Sequence, residues 1–179
     1  MKQLLCICFL FLCVSINAHA QDAEPLEFSE VVQATGVSKD ELYNRAKNWV
    51  VRVYNNPQKV IQLDDRTNGQ ISVKGLFTYP FRGCKNNINY TLSLYVKEGR
   101  YKFEMHDIYF TAFGSAGNQI DFGLLTPNPE VPKMRGYIRG TMQKLWHEAQ
   151  LKSEQYSTSV LESLKTAMST ETETQSDDW

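Results

Sequence analysis

Side chains suited to nucleophilic or acid–base chemistry are few in this sequence. Cys84 lies between Arg82 and Lys85, and adjacent basic groups favour the thiolate form of a cysteine. His106 precedes Asp107, but neighbours in a strand face opposite sides, so this carboxylate can orient the imidazole only if a bulge intervenes. A catalytic nucleophile also needs a base and an orienting group. Enzymatic chemistry would therefore require Cys84, His106 and an acid to meet in one pocket.

Metal and cofactor binding are not indicated. His147 and Glu148 resemble half of a zinc-protease helix, but Leu151 stands where the second histidine is required. After removal of the N-terminal leader described below, one cysteine and two histidines remain, a set that does not favour a protein metal site. We therefore expect no metal and no cofactor.

The element that would position His106 is a meander of four antiparallel strands between residues 59 and 110. Apolar and polar side chains alternate along its last two strands, which is typical of half-buried strands. The alternation slips after His106, where Ile108 and Phe110 take the formerly polar register, and a bulge near Asp107 would explain the slip. The apolar positions of the third strand are Ile88, Tyr90, Leu92, Leu94 and Val96.

Two hairpin turns are predicted within the meander. Asn68-Gly69 and Glu98-Gly99 both supply a glycine, which accepts the positive φ of a tight turn. Before the first turn we expect Ile61 and Leu63 to share one face, and after it Gly75 marks a gap or kink. The apolar positions of the second strand are Ile71, Val73, Phe77 and Tyr79.

Such a sheet has one apolar face that must be covered and one polar face. A helix on the polar side would bury Lys74 and Lys102 without partners, which is costly. We therefore expect both helices on the apolar face and the polar face available to a partner. The residues of this candidate binding face are Lys74, Thr91, Ser93, Tyr95, Lys102 and His106.

The predicted helices flank the meander in the sequence. A strand within residues 24–34 comes first, and Ser38 and Glu41 then form a capping box that starts a helix running to about Tyr54. The second helical region runs from Gly136 to about Met168, with a break or exposed turn expected in its polar stretch. The apolar stripe of the first helix contains Leu42, Ala46, Trp49, Val50 and Val53.

The two remaining segments are less regular. Residues 113–135 form an inserted loop rich in glycine and proline, within which residues 120–125 are apolar enough for a short strand or for packing over the sheet. Residues 170–179 are acidic and polar, and we expect this tail to be disordered.

The first 20 residues have the pattern of a secretory signal peptide. Its three parts are a lysine at position 2, an apolar run over residues 4–14 and the sequence Ala18-His19-Ala20. The apolar run is too short to span a bilayer comfortably. A lipoprotein leader acylated at Cys13 ranks second, because the preceding Leu12 is bulky. One periplasmic or secreted domain, residues 21–169, would remain, with Cys84 as its sole cysteine and no internal disulfide.

The near-balanced charge of the mature chain bears on which classes of partner we expect. Cleavage leaves 18 of the 19 basic residues and all 20 acidic ones, a net charge of −2. This balance gives no reason to expect nucleic acid or an anionic membrane as partner. No apolar span follows the leader, so we expect no transmembrane segment in the mature chain.

The predicted elements follow the β-α-β-β-β-β-α order of the TBP-like fold: a strand, a helix, the four-strand meander and a second helix. The residues that carry the resemblance are Phe28–Val32, Leu42-Tyr43, Trp49, Val60–Asp65, Asn68-Gly69, Lys74-Gly75 and Tyr90–Leu92. Over residues 27–110 the chain resembles the domain of unknown function with TBP-like fold found in exported proteins of Gram-negative bacteria. The resemblance implies an α+β fold in which two helices cover one face of a curved antiparallel sheet. It brings no catalytic residues, and the inserted loop departs from the family pattern.

These observations favour an exported, non-enzymatic domain that binds a protein or small ligand in the cell envelope. The binding surface would be the polar sheet face or the inserted loop. The alternative is a hydrolase or transferase that uses Cys84 or His106. DNA binding by analogy with TBP is disfavoured, because that mechanism needs apolar wedges and a basic surface, and fold alone does not imply function.

The leader pattern predicts that the mature protein begins at Gln21 and is soluble. Intact mass and N-terminal sequencing of the exported protein would check this. Acylation at Cys13 would contradict it.

Overall fold

Six antiparallel strands form one sheet in the computed structural model, which describes residues 24–114 and 117–169. The strands are β1 (Phe28–Gln33), β2 (Ile61–Asp65), β3 (Gln70–Phe81), β4 (Cys84–Lys97), β5 (Arg100–Phe113) and β6 (Gln119–Leu124). The helices are α1 (Lys39–Val53), α2 (Pro57–Val60) and α3 (Arg139–Ser169). The predicted α+β architecture and its curved antiparallel sheet are confirmed.

Strand β5 is the member of the sheet with the most neighbours. The strand order is β1-β5-β4-β3-β2, and β4 pairs along most of the length of β5. On its other side, β1 pairs with residues 100–105 and β6 with residues 109–113. The N-terminal strand and the strand of the inserted loop thus share one edge of β5.

The predicted bulge lies at Asp107. This residue has a φ of +51°, and the β4–β5 register shifts between Asn89 and Thr91. Because of the extra residue, Ile108 and Phe110 point to the same side of the sheet as Met105, and all three are fully buried.

A second irregularity makes one prediction wrong. Ile61 pairs with Val73, whereas Leu63 pairs with Ser72, because the register of β2 shifts between them. Val73 and Ser72 face opposite sides of β3, so Ile61 and Leu63 do not share a face, and Leu63 remains exposed.

Both long helices pack on the apolar face of the sheet, as predicted. Ser38 caps α1, and its hydroxyl accepts a hydrogen bond of 3.2 Å from the Glu41 N–H. Trp49 lies at the centre of the buried stripe of α1 with 2% exposure, and its indole N–H donates to Ser163 of α3 at 3.0 Å. Val53 at the end of the predicted stripe is exposed.

Helix α3 is continuous through the polar stretch where a break or turn was expected. Ser153 and Ser157 are buried, and they lie between Ala149 and Val160 on the same buried side of the helix. Small hydroxyl side chains therefore occupy positions on the inner surface of this helix, where the sequence pattern suggested an interruption.

A tyrosine cluster joins the helices to the middle of the sheet. The Tyr90 hydroxyl lies 3.1 Å from that of Tyr54 and 3.0 Å from that of Tyr156. The Tyr90 ring lies over Gly75, where an added Cβ would come within 2.1 Å of a ring carbon. Burial raises the pKa of Tyr54 and of Tyr90 above the ordinary tyrosine range, so both remain neutral. The Tyr90 ring therefore fills the gap that the sequence predicts at Gly75.

The inserted loop contains β6, in agreement with the strand considered for residues 120–125. Phe122 of this strand stacks on Phe110 with ring centroids 4.4 Å apart, and the stack continues to Trp146 of α3.

No helix in the described ranges is long and apolar enough to cross a membrane. The predicted leader and acidic tail lie outside the described residues.

Replacing Trp49 by alanine should lower the free energy of unfolding by about 3–5 kcal/mol, because a large buried ring and its contacts are removed. Urea denaturation followed by circular dichroism would measure the loss. Ser163→Ala is the matched control, since it removes only the indole hydrogen bond, worth about 1 kcal/mol. Equal stability of Trp49→Ala and wild type would contradict the packing of α1 against the sheet.

Candidate functional site

The sheet surface opposite α1 and α3 carries aligned rows of side chains, and we call it the open face. One row consists of Lys74, Thr91 and His106, taken from three neighbouring strands. The next two rows are Ser72, Ser93, Glu104 and Ser29, and then Gln70, Tyr95, Lys102 and Val31. All six residues of the predicted binding face therefore lie together on one surface.

A hydrogen-bonded chain fixes His106 on this surface. Its Nε2 lies 3.1 Å from Ser93 Oγ, and its Nδ1 lies 3.1 Å from a carboxylate oxygen of Asp107. The Thr91 hydroxyl donates to the same carboxylate oxygen at 3.1 Å, and Ser72 Oγ lies 3.2 Å from Ser93 Oγ. The bulge brings Asp107 to its neighbour His106, which a regular strand would not allow.

The order Ser93–His106–Asp107 is that of a nucleophile, base and acid. Ser93 is only 3% exposed, and β4 is paired with β3 and with β5 at this residue. Backbone N–H groups engaged in a sheet ladder are not available to stabilise an oxyanion. The chain of hydrogen bonds is therefore suited to holding the imidazole in one orientation.

Cys84 and His106 are not brought together. Cys84 is the first residue of β4, after a turn in which Arg82 and Gly83 both have positive φ. His106 is level with Thr91, seven residues further along β4. Seven residues of strand correspond to roughly 23 Å. The combination of thiol and imidazole required for the sequence-based enzyme hypothesis is thus not formed.

Lys102 and Glu104 form a short ion pair on the open face. Their Nζ and Oε1 atoms are 2.7 Å apart, and the Glu104 side chain is 17% exposed. This contact, with further hydrogen bonds from Glu27 and Tyr95, holds the pKa of Glu104 below the ordinary value of 4.5. The hydrogen bond that Glu27 shares with Glu104 raises the pKa of Glu27. Glu104 therefore remains charged at neutral pH and orients Lys102.

A depression of about 500 Å³ lies at the β1 end of the open face, and we call it the basic groove. Its lining includes Val31, Tyr95, Lys97, Arg100, Lys102 and Glu104. The lining has three cations against one carboxylate, and Glu27 lies beside that carboxylate, so an excess of cations makes the groove suited to an anionic group. Sequence reasoning missed Val31, because its proximity depends on the pairing of β1 with β5, which are distant in the chain. It also missed Lys97 and Arg100, although these two residues pair across the predicted Glu98-Gly99 turn.

An apolar row crosses the opposite half of the open face. Leu76, Asn89, Tyr109 and Leu124 are in register across four strands. Three of these side chains are well exposed: Leu76 by 54%, Tyr109 by 36% and Leu124 by 42%. The Tyr109 hydroxyl donates to Asp121 at 2.8 Å, and this hydrogen bond raises the pKa of Tyr109. Exposed apolar groups of this kind are typical of contact surfaces.

Residues 28–111 match the sequence profile of the family described as Domain of unknown function (DUF4468) with TBP-like fold. Over this segment the chain is similar to DUF4468 domains. No curated protein matches this chain.

Two solved structures share the fold of this chain. A TBP-like protein from Parabacteroides distasonis superimposes with a TM-score of 0.58 at 15% identity, covering 79% of this chain and 93% of its own. A DUF4468 family protein from Bacteroides ovatus gives a TM-score of 0.55 at 17% identity, covering 85% of this chain and 90% of its own. The similarity extends beyond the segment matched by the family profile.

The DUF4468 segment contains most of the open face. It begins with β1 and ends within β5, so it includes the serine–histidine–aspartate chain and the basic groove. Strand β6 and helix α3 lie outside it. Within residues 24–114 and 117–169, no three histidine, cysteine, aspartate or glutamate side chains form a group that could hold a metal.

The carboxyl group of Glu104 should titrate below 4.5, and Lys102→Met should raise its pKa because the nearest cation is removed. Carbon-detected NMR titration would measure both values. A lowered pKa stabilises the fold above the ordinary glutamate range, and this contribution is lost as the pH falls through the lowered pKa.

Lys97→Met is the control for this titration, since it removes an exposed cation of the same groove that is not bonded to Glu104. It should leave the Glu104 pKa nearly unchanged. A wild-type Glu104 that titrates at or above the ordinary value would contradict the pairing with Lys102.

Proposed function

We propose that this protein is an exported, non-enzymatic domain that binds a protein or small ligand of the cell envelope through its open face. The observation that carries the proposal is the composition of this face. It combines an exposed apolar row, a basic groove and a fixed imidazole on one side of the sheet. The N-terminal leader pattern supports export to the periplasm or beyond the cell.

The apolar row distinguishes this surface from an ordinary solvent-exposed sheet face. Antiparallel sheets often leave one face in water, but that face is then mainly polar. Here Leu76, Tyr109 and Leu124 expose large apolar surfaces in one line. Their burial against a partner would be favourable by roughly 25 cal/mol per Å² of apolar area. A partner that covers this row would also reach the polar rows beside it.

The polar residues would supply orientation and specificity. Tyr95 offers a ring and a hydroxyl, a combination enriched at interfaces. Lys74 and Lys102 offer cations, and Thr91 and Ser93 offer hydroxyl groups. His106 contributes a ring whose position is already fixed by Asp107 and Ser93. Preorganised contacts of this type reduce the entropy lost on binding.

Acyl transfer at the open face is the second candidate function, and the Ser93–His106–Asp107 chain is the observation that favours it. A fluorophosphonate reagent tests it, because an activated serine attacks phosphorus and forms a stable adduct. We expect no adduct, since Ser93 is buried and its strand is paired with β3 and β5 on both sides. An adduct on Ser93 that disappears in His106→Ala would replace the binding proposal by a hydrolase or transferase.

The double variant Lys74→Glu with Tyr95→Ala should fold as the wild type does but capture less partner from its own cell envelope. The changes reverse one charge and remove one ring in the centre of the open face. Affinity purification of tagged proteins, followed by quantitative mass spectrometry, would compare the captured material.

Lys59→Glu with Tyr137→Ala is the matched control, because it makes the same chemical changes at exposed residues away from the open face. Capture by this control should equal that of the wild type. An identical capture profile for the open-face variant and the control would remove the proposal.

A further inference from the structure

The end of the basic groove next to the Glu98-Gly99 turn places two cations opposite each other. Lys97 of β4 pairs with Arg100 of β5, and both side chains are exposed. Residues directly opposite in an antiparallel pair have Cβ atoms about 5 Å apart, and like charges at this distance are unfavourable. Within the described part of the chain, Lys102 is the one groove cation that forms an ion pair. An anionic group bound between Lys97 and Arg100 would remove their repulsion.

The neighbouring row of the groove offers apolar surface. Tyr95 pairs with Lys102, and Lys102 pairs with Val31 of β1, whose side chain is 55% exposed. The Tyr95 hydroxyl donates to the Glu104 carboxylate, which also lies 2.7 Å from the Lys102 ammonium. Glu104 therefore fixes both Tyr95 and Lys102. The ring of Tyr95 and the isopropyl group of Val31 remain as groove walls that can contact an apolar part of a ligand.

The dimensions and borders of the groove suit a small molecule with a single anionic group. Successive positions on one side of a strand are about 6.6 Å apart, and the three strands β4, β5 and β1 span roughly 10 Å. Beyond the row of Tyr95 the groove is bordered by Glu104, to which Glu27 is hydrogen-bonded, so further anionic groups would be repelled there. The volume of about 500 Å³ lies within the range of small-ligand pockets.

We propose that the basic groove binds a small aromatic carboxylate, with the carboxylate between Lys97 and Arg100 and the ring against Tyr95 and Val31. This inference rests on the proposed function and deepens it, because it names the chemical class of the ligand. The Arg100 guanidinium can donate two parallel hydrogen bonds to the carboxylate, and Lys97 supplies a second positive charge. Stacking on Tyr95 adds a contact that requires a flat ring.

Cinnamate is a suitable probe, because it joins a carboxylate to a flat ring, and cinnamyl alcohol is its uncharged counterpart. Titration of the purified, isotope-labelled protein, followed by the NMR shifts of its backbone amides, gives both the position of the probe and its Kd. We expect cinnamyl alcohol to bind at least about tenfold more weakly than cinnamate, because it cannot form the charge-assisted hydrogen bonds. Cinnamate should shift the amides of the groove residues Val31, Tyr95, Lys97, Arg100 and Lys102 in a saturable manner.

Arg100→Gln and Lys97→Met should each weaken cinnamate binding about tenfold, because each removes one charged contact to the carboxylate. Both variants should remain folded, since each removes one of two like charges that lie opposite each other. Lys85→Met is the matched control, because it neutralises an exposed lysine at the other end of β4 and should leave the Kd unchanged. Raising the salt to about 0.5 M should weaken the binding of cinnamate but not that of cinnamyl alcohol.

The absence of a saturable shift up to about 10 mM cinnamate would overturn the proposal, since such a concentration detects even weak complexes. Equal affinities for cinnamate and cinnamyl alcohol would also overturn it, because the cations would then not be recognising the ligand. The same holds for unchanged affinity in Arg100→Gln and Lys97→Met, and for shifts confined to the apolar row at Leu76, Tyr109 and Leu124.

The outcome is separable from that of the proposed function. If cinnamate does not bind but the Lys74→Glu and Tyr95→Ala variant still loses capture, the groove inference fails and the binding function stands. If cinnamate binds in the groove but capture is the same for that variant and its control, the groove inference stands and the capture of a protein partner fails instead.

Discussion

The bulge at Asp107 is the feature on which the two faces of the sheet depend. Side chains alternate in a strand, so a strand without an extra residue would turn Ile108 and Phe110 toward the open face. The bulge restores both to the helix side, where Phe110 stacks on Phe122 and the stack reaches Trp146. One extra residue therefore lets the two halves of β5 contribute to a single core.

The same residue sets the chemistry of the open face. With a φ of +51°, Asp107 turns its carboxylate to His106 instead of away from it. The imidazole is then held between an acid and a serine hydroxyl. A structural requirement of the core and the preorganisation of a candidate binding group thus have one origin.

The parts of the fold that could be predicted from sequence depend on local patterns. The Asn68-Gly69 turn, the Ser38 cap and the phase slip near Asp107 are each visible within a few residues. The shift between Ile61 and Leu63 left no such signal, since both are apolar and two positions apart. The continuity of α3 was missed because buried serines look like exposed ones in a sequence.

The candidate site was only partly predictable for a similar reason. Alternation along β3, β4 and β5 places Lys74, Thr91 and His106 on one face, but the hydrogen bond between Ser93 and His106 depends on register across strands. The β1 side of the basic groove, with Val31, depends on β1 lying beside β5, although some 70 residues of chain separate them, and long-range pairing of this kind leaves no local pattern. Its cations Lys97 and Arg100, in contrast, pair across a turn that the sequence does show.

Hydroxyl-radical footprinting of the protein in intact cells and in purified form tests the role of the open face most directly. Leu76 and Tyr109 are exposed on the open face, and Tyr137 is exposed elsewhere. We predict that Leu76 and Tyr109 are oxidised readily in the purified protein and protected in the cell, while Tyr137 is oxidised equally in both. Equal oxidation of all three residues in both samples would contradict a partner-binding open face.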